Sequence, residues 1–182
     1  MKKGAILLSS LAFIIIIVIF CGVKRDISDT YLIKEKENYN YEVIIKQYNG
    51  KVIISEEYHD LYPIVDVVEK DVLTLTLGSG DWWVTRFINV KDGSVSEEFG
   101  NIITYNADKV VYPAYEDGVM KIIVQDIFGK EQYYLEVIRE YAPVAVGRYM
   151  IVDAEFLDDD ALYLQYYRGE EWEEVCEVIN LN

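Results

Sequence analysis

The segment YEVIIKQYNGKVIISEEY, residues 41–58, decides the fold. Two runs rich in Val, Ile and Tyr flank Asn49-Gly50. Asn-Gly is the strongest short hairpin signal, because both residues tolerate positive φ. Tyr41–Tyr48 and Lys51–Tyr58 are therefore expected to pair as antiparallel neighbours. The same grammar runs on toward the C-terminus. Gly78-Ser79-Gly80-Asp81 separates Val72–Leu77 from Trp82–Val90, and Asp92-Gly93 leads into Ser94–Phe99. Asp117-Gly118 separates Val110–Tyr115 from Val119–Phe128, and Gly129-Lys130 leads into Glu131–Glu140. Arg168-Gly169 separates Ala161–Tyr167 from Trp172–Ile179. No stretch after residue 40 sustains a 3.6-residue period. The expectation is an all-β domain, an antiparallel meander of about 12–13 short strands.

The faces of these strands can be read from alternation. Leu73, Leu75 and Leu77 share one side; Val72, Thr74 and Thr76 share the other. Met120, Ile122, Val124 and Phe128 lie opposite Val119, Ile123 and Ile127, so this strand is apolar on both sides. Such strands belong in a sheet covered on both faces. Three units, Ile64–Phe99, Asn101–Ile138 and Met150–Asn182, repeat one order: apolar strand, acidic turn, second strand, glycine turn, longer strand. Four short strands per unit of about 40 residues resemble β-propeller blades. The resemblance is one of pattern, over residues 63–180, and implies a partial propeller, since closed ones have about four to eight blades. A β-sandwich or a wide meander barrel are the alternatives. Pro113 lies inside Val110–Tyr115 and removes a ladder donor, so that strand is expected at an edge or bulge.

Moving outward to the N-terminus, Gly4–Val23 is twenty residues without a charge. As a helix it spans about 30 Å, the thickness of a bilayer's hydrocarbon core. Lys2 and Lys3 precede it, as in the basic start of an export signal. Residues 1–23 are thus expected to form a hydrophobic helix that anchors the chain. Val18-Ile19-Phe20-Cys21-Gly22 resembles a bacterial lipobox, although Phe20 departs from the small residue that pattern wants. The resemblance implies a second reading, lipidation at Cys21; simple secretion is third. Residues 24–40 read as a polar tether and 41–182 as the folded domain, outside the cell membrane.

All 32 acidic residues lie beyond residue 25. Lys2, Lys3, Lys24 and Arg25 take four of the 17 basic ones, which leaves residues 26–182 at −19. A surface that negative repels phosphate backbones, so nucleic-acid binding is excluded as a function class. The cysteines are Cys21 and Cys176, so the domain has no internal disulfide. Cys176 reads as a small buried residue of a strand.

The chain holds a single histidine, His59, so zinc sites built on several histidines are excluded. Asp158, Asp159 and Asp160 are weak calcium candidates, since no EF-hand spacing is present and three adjacent carboxylates cannot all reach one ion. A solvated turn explains them as well. Trp82 and Trp83 are adjacent on a strand and point to opposite sides. One is expected in the core and the other on the surface, where with Trp172 it offers a platform for a partner or sugar ring. No nucleotide, redox or metalloprotease motif occurs, and no cofactor is expected. The sequence thus points to a membrane-tethered, non-catalytic binding module. Its partner would be an envelope protein or a glycan. The alternatives are a lipoprotein that captures a small molecule or glycan and, last, a carboxylate-based hydrolase.

Overall fold

The computed structural model describes residues 26–129, 133–158 and 160–182, with the Asp158 side chain set aside. The expected N-terminal helix, Cys21, Lys130–Gln132 and Asp159 lie outside the described residues. Among those described, no helix is long and apolar enough to cross a membrane.

The domain is all-β, and its strands form four antiparallel sheets. The first sheet holds β1 (Tyr31–Lys36), β2 (Asn40–Lys46) and β3 (Val52–His59). The second holds β4 (Ile64–Glu69), β5 (Val72–Ser79), β6 (Trp82–Asn89) and β7 (Phe99–Gly100). The third holds β8 (Thr104–Tyr105), β9 (Lys109–Glu116), β10 (Val119–Asp126) and β11 (Tyr134–Val137). The fourth holds β12 (Ile151–Asp158), β13 (Ala161–Arg168) and β14 (Glu173–Asn180). Within each sheet the strands pair in chain order, and the chain does not close into a barrel.

The tight turns sit where the glycines require them. Asp117 and Gly118 both have positive φ, 51° and 78°, which suits the twist of a two-residue hairpin. Gly80 has φ 60°, and β5 continues through Gly78 and Ser79 before the chain turns. Pro113 opposes Ile122 of β10, while β8 reaches only Val110 and Val111. Its missing N–H therefore falls where β9 has no second neighbour, as the sequence demanded.

One expectation is corrected here. Residues 31–36, placed in the tether, form β1 and pair with β2 from Tyr31↔Ile45 to Lys36↔Asn40. The strand alternates, but its outer positions are Leu32, Lys34 and Lys36, whose lysines ion-pair with Glu42 and Glu57 across the sheet. A charged outer face made this strand look like a linker. The fold begins with a 3-10 turn at Ile27–Thr30, capped by Asp26, whose carboxylate accepts from the Ser28 N–H at 3.0 Å.

Three hydrophobic clusters join the sheets in sequence. Val43, Ile45 and Ile54 of the first sheet meet Leu73, Leu75 and Ile88 of the second. Val72, Phe87 and Phe99 of the second meet Val110 and Ile127 beside the third. Val111, Ile122, Val124 and Val137 of the third meet Leu162, Leu164, Tyr166 and Ile179 of the fourth. The second sheet is therefore buried on both sides, and the alternation of β5 feeds two separate cores. Even its threonines are covered: Thr74 and Thr85 are buried, and Thr85 shares a 2.9 Å hydroxyl contact with Thr76.

One charged pair crosses the first interface. Arg86 of β6 donates to Glu56 of β3 at 3.0 Å, and to the Tyr58 hydroxyl at 2.8 Å. This guanidinium, with Tyr58, holds the Glu56 carboxyl below its usual range, while burial pushes the Tyr58 phenol well above its own. The arrangement satisfies an arginine that alternation places on an apolar face.

Candidate functional site

Because the strands run back and forth in register, the domain has two ends. At one end lie the turn 47–51, the β4–β5 turn, the segment 90–93 and the β8–β9 turn 106–108. Backbone bonds tie them together: Tyr48 N–H donates to Val90 O at 3.2 Å, and Val90 N–H to Asp71 O at 2.9 Å. At the other end lie the turn 37–39, residues 60–62, the hairpin tips 80–81 and 117–118, the segment 138–149 and the turn 169–172. Here Asp60 N–H donates to Tyr39 O at 3.2 Å and Gly169 N–H to Glu140 O at 2.9 Å.

The second end gathers the aromatics. Among the described residues the exposed tyrosines and tryptophans are Tyr39, Tyr62, Trp82, Trp83, Tyr105, Tyr115, Tyr134, Tyr149 and Trp172. All but Tyr105 and Tyr134 sit at this end. Scattered apolar residues on a surface need no explanation, but a gathering of rings does.

Its centre is the β5–β6 hairpin. Trp82 and Trp83 are both exposed, at 55% and 45%. This corrects the expectation that one of them would be core. They follow the turn directly, beyond the reach of the neighbouring sheets, so neither side of the strand is covered there. The tip is held in shape by Gly78, where an added Cβ would meet Trp82 O at 2.4 Å and Trp83 Cα at 2.8 Å. Asn101 clamps the other side: its Oδ1 accepts from Trp83 N–H at 3.1 Å, and its own N–H donates to Trp83 O at 2.9 Å. Tyr149 donates its hydroxyl to Asp81 Oδ1 and so ties the tip to the segment before β12. That bond raises the Tyr149 phenol above its usual value.

Trp172 stands at the same end, in the turn before β14, with φ 56°. Its ring lies 5.6 Å from that of Tyr167. At the same end is a cleft of about 450 Å³, lined by Tyr115, Val119, Tyr141, Pro143, Val144 and the charged residues Arg139 and Glu140. Tyr115 donates to Val144 O at 3.3 Å across one wall. Tyr141 forms another, packed edge-on against Tyr166 at 5.1 Å, and burial pushes its phenol well up.

Both ends carry carboxylates, and they differ in how their cations are engaged. At the aromatic end every described cation is engaged. Lys121 lies between Glu116 and Glu136, Arg139 binds Glu177 with two nitrogens at 2.9 and 3.0 Å, and Arg168 pairs with Glu173. Arg148 donates to Ile151 O at 3.1 Å, and Lys36 to Glu57. Among the described residues Asp60, Asp117, Glu140, Glu170 and Glu171 at this end meet no cation in an ion pair. The opposite end carries Lys46, Lys51, Lys70 and Lys91, none in an ion pair among the described residues. A second cleft there, about 410 Å³, is polar and includes Glu69, Asp71, Asn89, Asp108, Lys109 and Asp126.

The remaining sequence candidates do not converge. His59 ends β3 and donates from Nδ1 to Asn40 Oδ1 at 2.5 Å, on the outer face of the first sheet. Cys176 is exposed, not buried as expected, because it points from the uncovered outer face of the fourth sheet. Of the three aspartates, Asp159 and the Asp158 side chain lie outside the described residues, and Asp160 sits in the turn before β13 at the end away from the tryptophans. Among the described residues no group of three or more His, Cys, Asp or Glu could hold a metal ion. No protein-family model, no curated protein and no solved structure matches the chain.

Proposed function

We propose that this chain is a membrane-tethered, extracytoplasmic binding module without a catalytic role, and that the aromatic end is its binding face. The four sheets act as successive blade-like units of an open, propeller-like stack, which sets the hairpin tips side by side. The observation that carries the reading is the gathering of seven exposed rings at one end, one of which, Tyr115, lines a cleft there. Exposed tryptophans and tyrosines offer large, rigid contact area at low entropic cost, and they are the residues most often found as interface anchors. The carboxylates beside them favour a partner that brings positive charge, such as lysine or arginine side chains or amino sugars, because a cation gains from both a carboxylate and a ring face. A glycan is the second reading, favoured by the adjacent Trp82 and Trp83, whose flat faces suit a sugar ring.

The test is a titration of the full chain in detergent with a lysine-rich peptide, an acidic peptide and neutral oligosaccharides. Tryptophan emission is the readout. The expected outcome is saturable binding of the basic peptide that Trp82→Ala with Trp83→Ala removes. Binding of the neutral sugar with the same dependence on the tryptophans selects the glycan reading. Binding that ignores the tryptophans contradicts both.

A further inference from the structure

The stack of sheets is open at both ends. Buried clusters join the first sheet to the second, the second to the third and the third to the fourth. Among the described residues no such cluster joins the fourth back to the first. Two outer faces are therefore left uncovered, and each carries apolar residues. On the first sheet Leu32, 47% exposed, lies opposite Ile44. On the fourth Val178, 61% exposed, lies opposite Tyr163 and beside the exposed Cys176. The charges of the two faces are unlike. The strands of the first sheet set Lys34, Lys36 and Lys46 outward against Glu42 and Glu57, a balance of +1. Lys34 and Lys36 share Glu42 at 3.4 and 3.6 Å, and Lys46 is in no ion pair among the described residues. The strands of the fourth set Asp153, Glu155 and Glu174 outward, a balance of −3 among the described side chains. The one cation of those strands, Arg168, alternates with this set, two residues from the buried Tyr166, and pairs with Glu173.

We infer that these two faces cover each other in a second copy of this chain. The fourth sheet of one protomer stacks on the first sheet of its partner, and the reverse contact closes a ring of two. The charges choose this pairing among the three that two copies could make. First on first sets +1 against +1, and fourth on fourth sets −3 against −3. Only fourth on first brings opposite net charges together, and like charges set against each other suppress a contact. Packing sheet on sheet is how the chain already joins its own four sheets, so the contact continues the stack. Two copies hold twice the four sheets of one. Eight lies within the range of about four to eight blades over which propellers close. A contact between unlike faces that closes on itself gives a ring, not a filament. A rotation axis along the strands leaves both aromatic ends on one side, so two binding faces point the same way. The closed ring rests on the propeller-like reading above; it does not rest on what the aromatic end binds.

The experiment measures the mass of the full chain in detergent by sedimentation, with bound detergent subtracted. Wild type should be a dimer at micromolar concentration. Leu32→Glu and Val178→Glu, each alone, should be monomers with unchanged urea midpoints, since both sites are exposed. Mixed in equal amounts they keep one of the two contacts intact, so dimers should return as protein concentration is raised. Leu32→Glu should also speed thiol labelling at Cys176, on the other face, severalfold, as read by peptide mass. A milder change, Asp153→Asn with Glu155→Gln, should weaken association about tenfold and flatten its salt dependence. A monomeric wild type overturns the inference. A dimer that survives Leu32→Glu puts the contact elsewhere and overturns it too, as does a mixture that stays monomeric. Tighter association once the carboxylates are neutralised would mean that two fourth sheets meet, and also overturns it. None of these outcomes bears on the tryptophan titration, which judges the binding face by itself.

Discussion

The two ends of this domain are built from the same strands and differ in what their turns carry. One end presents lysines without ion pairs and a polar cleft; the other presents rings, a cleft walled by tyrosines, and carboxylates whose neighbouring cations are already taken. A shared body makes the contrast informative. Buried clusters fix both ends equally, so differences in side chain at the turns are free to serve function. Loops on a rigid scaffold are where binding residues concentrate.

The strongest way to break the contrast is to loosen the body. Phe87 is fully buried between the second and third sheets, edge-on to Phe99 at 6.0 Å. Phe87→Ala should cost about 3–5 kcal/mol and raise exchange rates at both ends together. Urea melts with amide exchange check this. Loosening confined to one end would show that the ends are not mechanically joined.

Removing the crossing charge pair is the next largest effect, and it has a pH signature. Arg86→Met should cost about 1–2 kcal/mol at pH 7, the range for a charged hydrogen bond discounted for the partial exposure of Glu56. The Glu56 carboxyl is lowered from 4.5 by Arg86. Its contribution is therefore full above pH 4.5 and is lost as pH falls through the lowered folded value. Urea melts at pH 7 and pH 3.5 should show wild type losing more stability than the variant between the two. Equal losses would mean the pair is not coupled to folding.

Two glycines then separate the ends. Gly78→Ala should cost about 1–3 kcal/mol, because the new Cβ meets backbone atoms of Trp82 and Trp83 that cannot yield. It should also move the tryptophan pair and weaken binding. At the lysine end an added Cβ on Gly93 meets only the flexible Gln47 amide, and the cost comes from its φ of 83°. Gly93→Ala should cost about 1 kcal/mol and leave binding untouched. The smallest expected stability change is at the platform itself. Trp82→Ala and Trp83→Ala should each shift stability by less than about 1 kcal/mol, since both rings are exposed. A loss of about 3 kcal/mol at either would make that ring part of the core.

Much of the fold was legible because its turns carry strong local chemistry. Asn49-Gly50 and Asp117-Gly118 mark hairpins by backbone conformation alone, and the two-sided apolar pattern of β10 announces stacked sheets. What failed did so at the open faces. β1 has a charged outer side because no sheet covers it, and it read as a linker. Cys176 sits on the matching open face of the fourth sheet and read as core. Trp82 and Trp83 obey alternation, but the rule that one side is buried lapses past the edge of the neighbouring sheets. The aromatic end itself was hidden for another reason. Tyr39, Tyr62, Trp82, Tyr115, Tyr149 and Trp172 are far apart in sequence, and only the topology brings them together. The available signal was that each flanks a turn or linker at the same phase of the strand order.

The most direct test of the account is the affinity of the full chain for a fluorescent lysine-rich decapeptide, compared between wild type and the variant carrying both Trp82→Ala and Trp83→Ala. If the aromatic end is the binding face, the peptide binds wild type and the variant loses tenfold or more, about 1.4 kcal/mol. Undetectable binding to wild type, or an unchanged affinity in the variant, would contradict it.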